Sequence, residues 1–324
     1  ICCACSAAIR TRNPTNVHKP LNKRSICYFY TRIWLTANRK ISLGFVLRCM
    51  GRVVCARMGR MVWLGRMRRL LELIKFSHTV FAMPFALAAM LVAAGGLPSL
   101  RVLGLILWCL VTARTAAMAF NRYVDWDYDR ANPRTAGRQH LANRRMAYAL
   151  MWVALAGFIA GTWFLNQLCF MLAPLAIVLI LSYSLTKRFT SFTHFFLGLA
   201  LAAAPMGAWA AVTGDLRDWP PWILASGVLC WVFGFDLIYS TMDTDFDRRT
   251  GLYSFPSRYG VPAALRLAGA LHLVAWLALG AFGWACGFRW PYAVGWALIA
   301  VALIFQHRLG RTGDIDRVNM AFFQ

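Results

Sequence analysis

Two hexapeptides hold half of the acid in this chain: Asp125-Trp126-Asp127-Tyr128-Asp129-Arg130 and Asp243-Thr244-Asp245-Phe246-Asp247-Arg248. Of 12 acidic residues in 324, six lie in these two copies, and a seventh, Asp236, stands just ahead of the second. At helical spacing Asn121, Asp125 and Asp129 fall at i, i+4 and i+8, and Asp236, Tyr239, Asp243 and Asp247 at i, i+3, i+7 and i+11, so each set forms one stripe. Asp127 and Asp245 point off the stripe and read as solvated. Carboxylates one turn apart repel unless a cation sits between them. Hard divalent ions suit such pairs, and Mg²⁺ is usually held by one or two carboxylates with phosphate oxygens and water completing its shell. The pattern therefore implies Mg²⁺ and a diphosphate, with Asp125, Asp129, Asp243 and Asp247 as metal ligands and Asn121 beside them.

Cations near the motifs agree with an anionic ligand. Arg130, Arg134, Arg138, Lys187, Arg188 and Arg248 are candidates for diphosphate oxygens, the arginines in bidentate fashion. Taken singly, each serves equally well as a topology determinant. Two costlier residues lie deeper: Arg114 is seven positions before Asn121 and Asp236 seven before Asp243, about 10 Å below each motif at 1.5 Å per residue. Ionisable groups at that depth must face protein, water or substrate. We expect both to line one central cavity, either as a structural ion pair or with Arg114 taking an anionic acceptor or an inner phosphate oxygen and Asp236 with Tyr239 taking the acceptor's hydroxyl or a developing cation. Lys75 and His78, at the start of the first apolar run, are weaker candidates for closing the same cavity.

These residues need a membrane scaffold to position them. The chain is 60% hydrophobic and 15% charged, with mean hydropathy +0.53, against roughly 25% charged in soluble domains. We read an all-α polytopic membrane protein with eight spans: 76–97, 102–122, 146–167, 168–186, 192–213, 220–242, 262–287 and 290–306. The third and fourth meet in a tight hairpin at Asn166-Gln167. A net charge of +23 raises the question of nucleic acid, but the basic residues cluster in alternate loops between spans, as the positive-inside rule requires. No nucleic-acid partner is expected, and both Asp motifs are placed on the cytoplasmic side. The ten cysteines have no metal-ligand spacing and suggest neither a zinc site nor a disulfide framework. Residues 1–60, with twelve Lys or Arg and no acid, read as a basic extension, either non-native sequence ahead of a start at Met58 or Met61 or a disordered arm. Residues 61–324 read as the transmembrane domain, and Asn319–Gln324 resembles the start of a ninth span.

The motifs resemble those of the UbiA superfamily of intramembrane prenyltransferases. The resemblance rests on Asn121-x-x-x-Asp125-x-x-x-Asp129 with Asn132-Pro133-Arg134-Thr135-Ala136-Gly137-Arg138, on Tyr183-Ser184-Leu185-Thr186-Lys187-Arg188, and on Asp236-x-x-Tyr239-x-x-x-Asp243-x-x-x-Asp247. It covers roughly 62–324. It departs at Gln139–Asn143, where the family has a Pro and Gly turn. Within the superfamily the pattern is similar to 4-hydroxybenzoate polyprenyltransferases, and the stretch from Lys75 to Phe85 leans towards menaquinone-pathway relatives. What the resemblance implies is a bundle of nine helices in the bacterial inner membrane, Mg²⁺ held by both motifs, and transfer of a polyprenyl group from its diphosphate to an aromatic acceptor such as 4-hydroxybenzoate. Tyr239, Phe120 and Phe235 are candidates for stabilising an allylic cation through their faces. A divalent-cation transporter, and a related enzyme with haem, chlorophyllide, homogentisate or a glycerol ether as acceptor, are the alternatives.

Overall fold

The computed structural model describes residues 82–132 and 143–311. They belong to one compact unit, Gly65–Gln324, and contain no strand among the described residues. Lys75, His78, Arg134, Arg138, the 1–60 extension and the ninth-span expectation lie outside them.

Among the described residues seven helices are long and apolar enough to cross a membrane. In chain order the elements are α1 (Met83–Ala93), α2 (Leu100–Val124), the short α3 (Trp126–Ala131), α4 (Arg144–Leu165), α5 (Gln167–Thr186), α6 (Thr193–Thr213), α7 (Pro220–Ser240), a single 3-10 turn (Thr241–Asp243), α8 (Thr244–Thr250), α9 (Phe255–Tyr259), α10 (Val261–Ala285) and α11 (Trp290–Gly310). All but α1 of the long apolar helices reproduce the expected spans to within a few residues. α1 is a shorter apolar helix at the place of the first expected span.

The bundle is assembled by small residues. In α4, Gly157 and Gly161 face Trp108 and Cys109 of α2, where a Cβ on Gly161 would come within 2.7 Å of the Cys109 sulfur. The Trp108 indole N–H donates to the Gly157 carbonyl at 2.8 Å. Gly198 brings α6 onto the Leu229 carbonyl of α7, and Gly234 brings α7 onto His272 of α10. Close backbone approach of this kind drives helix association in lipid, where apolar burial between helices supplies little. Large side chains such as Trp163, Met171, Val153 and Val301 are left on the outside, as expected where lipid is the solvent.

Turns are set by side-chain caps. Asn166 accepts from the Cys169 N–H at 2.8 Å to start α5, and its amide donates to the Ala210 carbonyl of α6 at 2.7 Å. The expected hairpin is therefore a one-residue connection pinned to a third helix. α10 and α11 are clasped by Trp276 and Trp296, whose rings stack at 4.0 Å and whose indole N–H groups each donate to the other's carbonyl.

The two motif copies depart from the continuous helices expected for them. α2 stops at Val124, and Asp125 ends it and starts α3 with φ −89° and ψ 12°. In the second copy a 3-10 turn intervenes before α8. The stripes nonetheless keep their sense. The Asp125 N–H donates to the Asn121 carbonyl at 2.9 Å and the Asp129 N–H to the Asp125 carbonyl at 2.7 Å, so the i to i+4 ladder runs through the break.

Candidate active site

The C-terminal ends of α2, α5 and α7 and the N-terminal start of α6 come together at one end of the bundle around a polar cavity of about 260 Å³, close to the ~300–1,000 Å³ of small-molecule sites. Asn121, Asp125 and Asp129 line it from the first motif, Asp236, Tyr239, Asp243 and Asp247 from the second, and Lys187 from α5. All of these but Lys187 are the residues that spacing alone had grouped into two separate stripes.

Charge is neutralised locally. Asp125 is buried; its Oδ2 lies 2.6 Å from the Lys187 ammonium and accepts from the Asn121 amide at 3.0 Å. Its Oδ1 is 3.9 Å from the Arg188 guanidinium and has no hydrogen-bond partner among the described residues. Burial pushes the Asp125 carboxyl above the ordinary carboxylate range, and Lys187 opposes the shift. Asp129 accepts from Arg122 at 2.8 Å, and Arg122 is itself buried. The motif copies touch through Asn132, whose amide donates to Asp243 Oδ1 at 3.2 Å. Asp247 has Ser254, Asp243, Lys187 and His194 as electrostatic neighbours. Asp127 and Asp245 are exposed, Asp127 lying 3.6 Å from Arg144, in keeping with their place off the stripe.

Three expectations are corrected. Arg114 and Asp236 form no ion pair: Asp236 lines the cavity and pairs with His194 at 2.7 Å. Arg114 is instead buried with Tyr183 and Arg122 as its electrostatic neighbours and its Nε without a hydrogen-bond partner among the described residues. It does not line the cavity itself, although its neighbour Tyr183 does. Arg130 is exposed and outside the lining, and Arg248 donates to the Ser257 carbonyl at 3.1 Å on the exposed side. Phe120 packs against the α2, α4 and α5 core and Phe235 lies against Trp231. The aromatic walls of the cavity are Tyr128, Tyr183, Tyr239, Phe246 and Tyr253.

Sequence reasoning passed over Arg122, His194, Ser184 and the 251–254 segment. Arg122 sits seven residues before Asp129, a spacing that places it on the same helical face and could have singled it out. His194 is a lone histidine at an apolar helix start, and its partner is 42 residues away. Only the general need of an intramembrane carboxylate for a partner pointed towards such a residue. A second, apolar cavity of about 140 Å³ lies between α2, α4, α5 and α6, lined by Cys109, Phe158, Cys169, Ala200 and Ala204 among others.

Residues 82–324 match the UbiA prenyltransferase family. The chain belongs to that family. Its class is therefore that of a prenyltransferase, which removes the transporter reading, and its long apolar helices make it an integral membrane protein. Among relatives of this UbiA-family chain, the 4-hydroxybenzoate octaprenyltransferase of Alcanivorax borkumensis is 32% identical over 226 residues, 69% of this chain and 77% of the relative. The enzyme of the same name from Shewanella sediminis is 30% identical over 227 residues, 69% and 78%. Among solved structures, the apo UbiA homolog from Aeropyrum pernix K1 is similar with a TM-score of 0.70 and 32% identity, covering 76% of this chain and 94% of that one. A UbiA homolog from Archaeoglobus fulgidus bound to GPP and Mg²⁺ shares the fold with a TM-score of 0.56 at 18% identity, covering 73% and 85%.

Proposed function

We propose that this UbiA-family enzyme transfers a polyprenyl group from a polyprenyl diphosphate to an aromatic acceptor, 4-hydroxybenzoate or a related quinone precursor, in ubiquinone or menaquinone synthesis. The observation that carries the reading is the convergence of four motif carboxylates, Asn121 and Lys187 on one cavity at the end of the membrane helices. The names of the two octaprenyltransferase relatives support the acceptor. The alternating loop charge supports a cytoplasmic placement of the motifs in a bacterial plasma membrane, with residues 61–324 as the functional domain.

The donor set fits Mg²⁺. It is made of hard oxygens, and Asp125 Oδ1 is buried without a hydrogen-bond partner among the described residues. Among the described residues no three His, Cys, Asp or Glu side chains stand together closely enough to hold an ion by themselves, so an ion here would need water and substrate phosphate to complete its shell. Asp125, Asp129, Asp243 and Asp247, with Asn121 adjacent, would hold it, and the Archaeoglobus homolog with GPP and Mg²⁺ supports the same use. When bound, the ion supplies positive charge to the diphosphate leaving group.

The chain's own groups account for the rest. Lys187, and Arg188 beside it, offer cations to diphosphate oxygens at the rim of the first motif, and Arg134 and Arg138 are further candidates from the segment after α3. As the allylic C–O bond breaks, its electron pair goes to the diphosphate, and the cation left behind faces the ring walls Tyr239, Tyr183, Tyr128 and Phe246. A ring carbon of the acceptor then forms the C–C bond and the ring loses its proton. Asp236 and Tyr239, both in the cavity wall, take the acceptor's hydroxyl. Lys75 and His78 are proposed to close the site. The prenyl tail stays among apolar side chains and lipid.

The test is transfer from geranyl diphosphate to 4-hydroxybenzoate by membranes containing the protein, with and without Mg²⁺. The expected result is Mg²⁺-dependent formation of the geranylated acid. Absence of transfer to this and to a panel of other aromatic acceptors refutes the reading.

A further inference from the structure

His194 is held at both ring nitrogens. It sits in the first turn of α6 with its side chain only 3% exposed, and it lines the polar cavity. Its Nδ1 is 2.7 Å from Asp236 Oδ2, and its Nε2 accepts from the Phe255 N–H at 3.4 Å. With Nε2 serving as the acceptor, Nδ1 carries the proton and donates to Asp236. One carboxylate oxygen of Asp236 is therefore engaged by a donor that packing has already immobilised, which restricts the rotation of the carboxylate and leaves its other oxygen for a cavity ligand.

The second bond reaches the strap that closes this side of the cavity. Leu252, Tyr253 and Ser254 all line it, following Gly251, whose φ of 69° turns the chain back after α8. The strap is held by the Leu252 N–H on the Asp247 carbonyl at 3.0 Å and by the Tyr253 N–H on the Lys187 carbonyl at 2.8 Å. The Phe255 N–H on His194 is its third tie, reinforced by Phe192 edge-on to Phe255 at 5.9 Å. A single imidazole thus spans from the strap to the carboxylate at the floor of the site, and it is fixed at the α5 to α6 corner by the bond between the Thr186 and Thr193 hydroxyls at 2.7 Å.

We infer that His194 is a positioning residue for the acceptor: it orients Asp236 towards the acceptor's hydroxyl and fixes that orientation to the strap over the cavity. The inference rests on the reading of Asp236 as the acceptor-facing carboxylate. It concerns the acceptor more than the diphosphate, because His194 gives no side-chain hydrogen bond among the described residues to Asp125, Asp129, Asp243, Asp247 or Lys187 and acts on that end only as an electrostatic neighbour of Asp247.

The two bonds can be dissected by side-chain shape. In His194→Asn the amide nitrogen takes the place of Nδ1 and keeps a donor for Asp236. In His194→Gln the amide oxygen takes the place of Nε2 and keeps an acceptor for the Phe255 N–H while the donor to Asp236 is lost. Initial rates with geranyl diphosphate and 4-hydroxybenzoate are measured for wild type, both variants and His194→Ala in detergent-purified protein of confirmed monodispersity and melting temperature. The expected outcome is an acceptor KM raised about tenfold or more in His194→Gln and His194→Ala, in line with loss of one hydrogen bond to a charged group. The donor KM stays at the wild-type value, and His194→Asn restores most of the acceptor KM. Equal effects on both substrates, no rescue by Asn, or an unchanged acceptor KM in His194→Gln overturns the inference. A wild-type enzyme that transfers to no aromatic acceptor refutes the proposed function and the inference together, whereas an active wild type with an unaffected Gln variant refutes the inference alone.

Discussion

Replacing Lys187 with Met tests the charge balance of the site most directly. The Lys187 ammonium lies 2.6 Å from Asp125 Oδ2, and the two side chains are 30% and 5% exposed. Removing one partner of a fully buried pair costs ~3–5 kcal/mol, whereas exposed pairs contribute ~0–1 kcal/mol. With one partner buried and the other partly wetted, about 1–3 kcal/mol of stability should be lost, since Asn121 at 3.0 Å and Arg188 at 3.9 Å compensate only in part. The sign with pH follows from Asp125. Its carboxyl is raised by burial and lowered by Lys187, so loss of Lys187 raises it further. A carboxyl raised in the folded state destabilises wherever it is ionised there and ceases to do so once it is protonated. The deficit should therefore be full above the raised value and shrink as pH falls through it into the ordinary carboxylate range. Asp125→Asn in the Lys187→Met background removes the uncompensated charge and should recover most of the melting temperature while abolishing the transfer that Lys187→Met retains. The donor's kcat/KM in Lys187→Met should fall by roughly 10- to 100-fold, the equivalent of one charge-assisted hydrogen bond. An unchanged melting temperature at neutral pH, or a donor kcat/KM equal to wild type, would refute the reasoning.

Other perturbations address the remaining parts. Asp125→Ala and Asp243→Ala should each abolish Mg²⁺-dependent prenyl transfer while folded protein stays in the membrane; undiminished turnover in both sinks the proposed metal role. Gly234→Ala places a Cβ 2.6 Å from the His272 ring and 3.1 Å from the Ala268 carbonyl, and should cost ~1–3 kcal/mol as α7 and α10 are forced apart. Gly207→Ala meets nothing within 4 Å and serves as the control; thermal melts of equal midpoint for the two variants would contradict the packing account. Trp296→Phe removes one of the two reciprocal indole bonds between α10 and α11 and should lower the melting temperature without changing the KM of either substrate.

Most of the fold was legible because membrane helices are chosen by length and apolarity, properties that each segment carries by itself. The spans from 102–122 through 290–306 were found with small errors at their ends, and the hairpin at Asn166 was expected from its residue type. What escaped was of another kind. The break at Asp125 leaves the i to i+4 ladder intact and the 3-10 turn at Thr241–Asp243 is only three residues long, so the periodic pattern carries no mark of either. Arg130 and Arg188 are alike on paper and both are exposed, yet the Arg188 guanidinium is turned onto the Val124 carbonyl and the first motif. That placement depends on the end of α5 lying beside the end of α2, which no local pattern records.

The sequence by itself determined that this is a membrane protein and that its acid is concentrated in two matched motifs at helix ends. The spacing of carboxylates along a helix also decided which of them share a face, because side-chain direction repeats every 3.6 residues. Only the tertiary structure decided that the two stripes line one cavity, that Asn132 joins them, and that Asp236 is satisfied by His194 rather than by Arg114. Those outcomes rest on how α2, α5, α6 and α7 pack, with α6 drawn onto α7 at Gly198. Two groups distant in the chain meet only when small residues let their helices approach, and no local pattern encodes which partner will be within 3 Å.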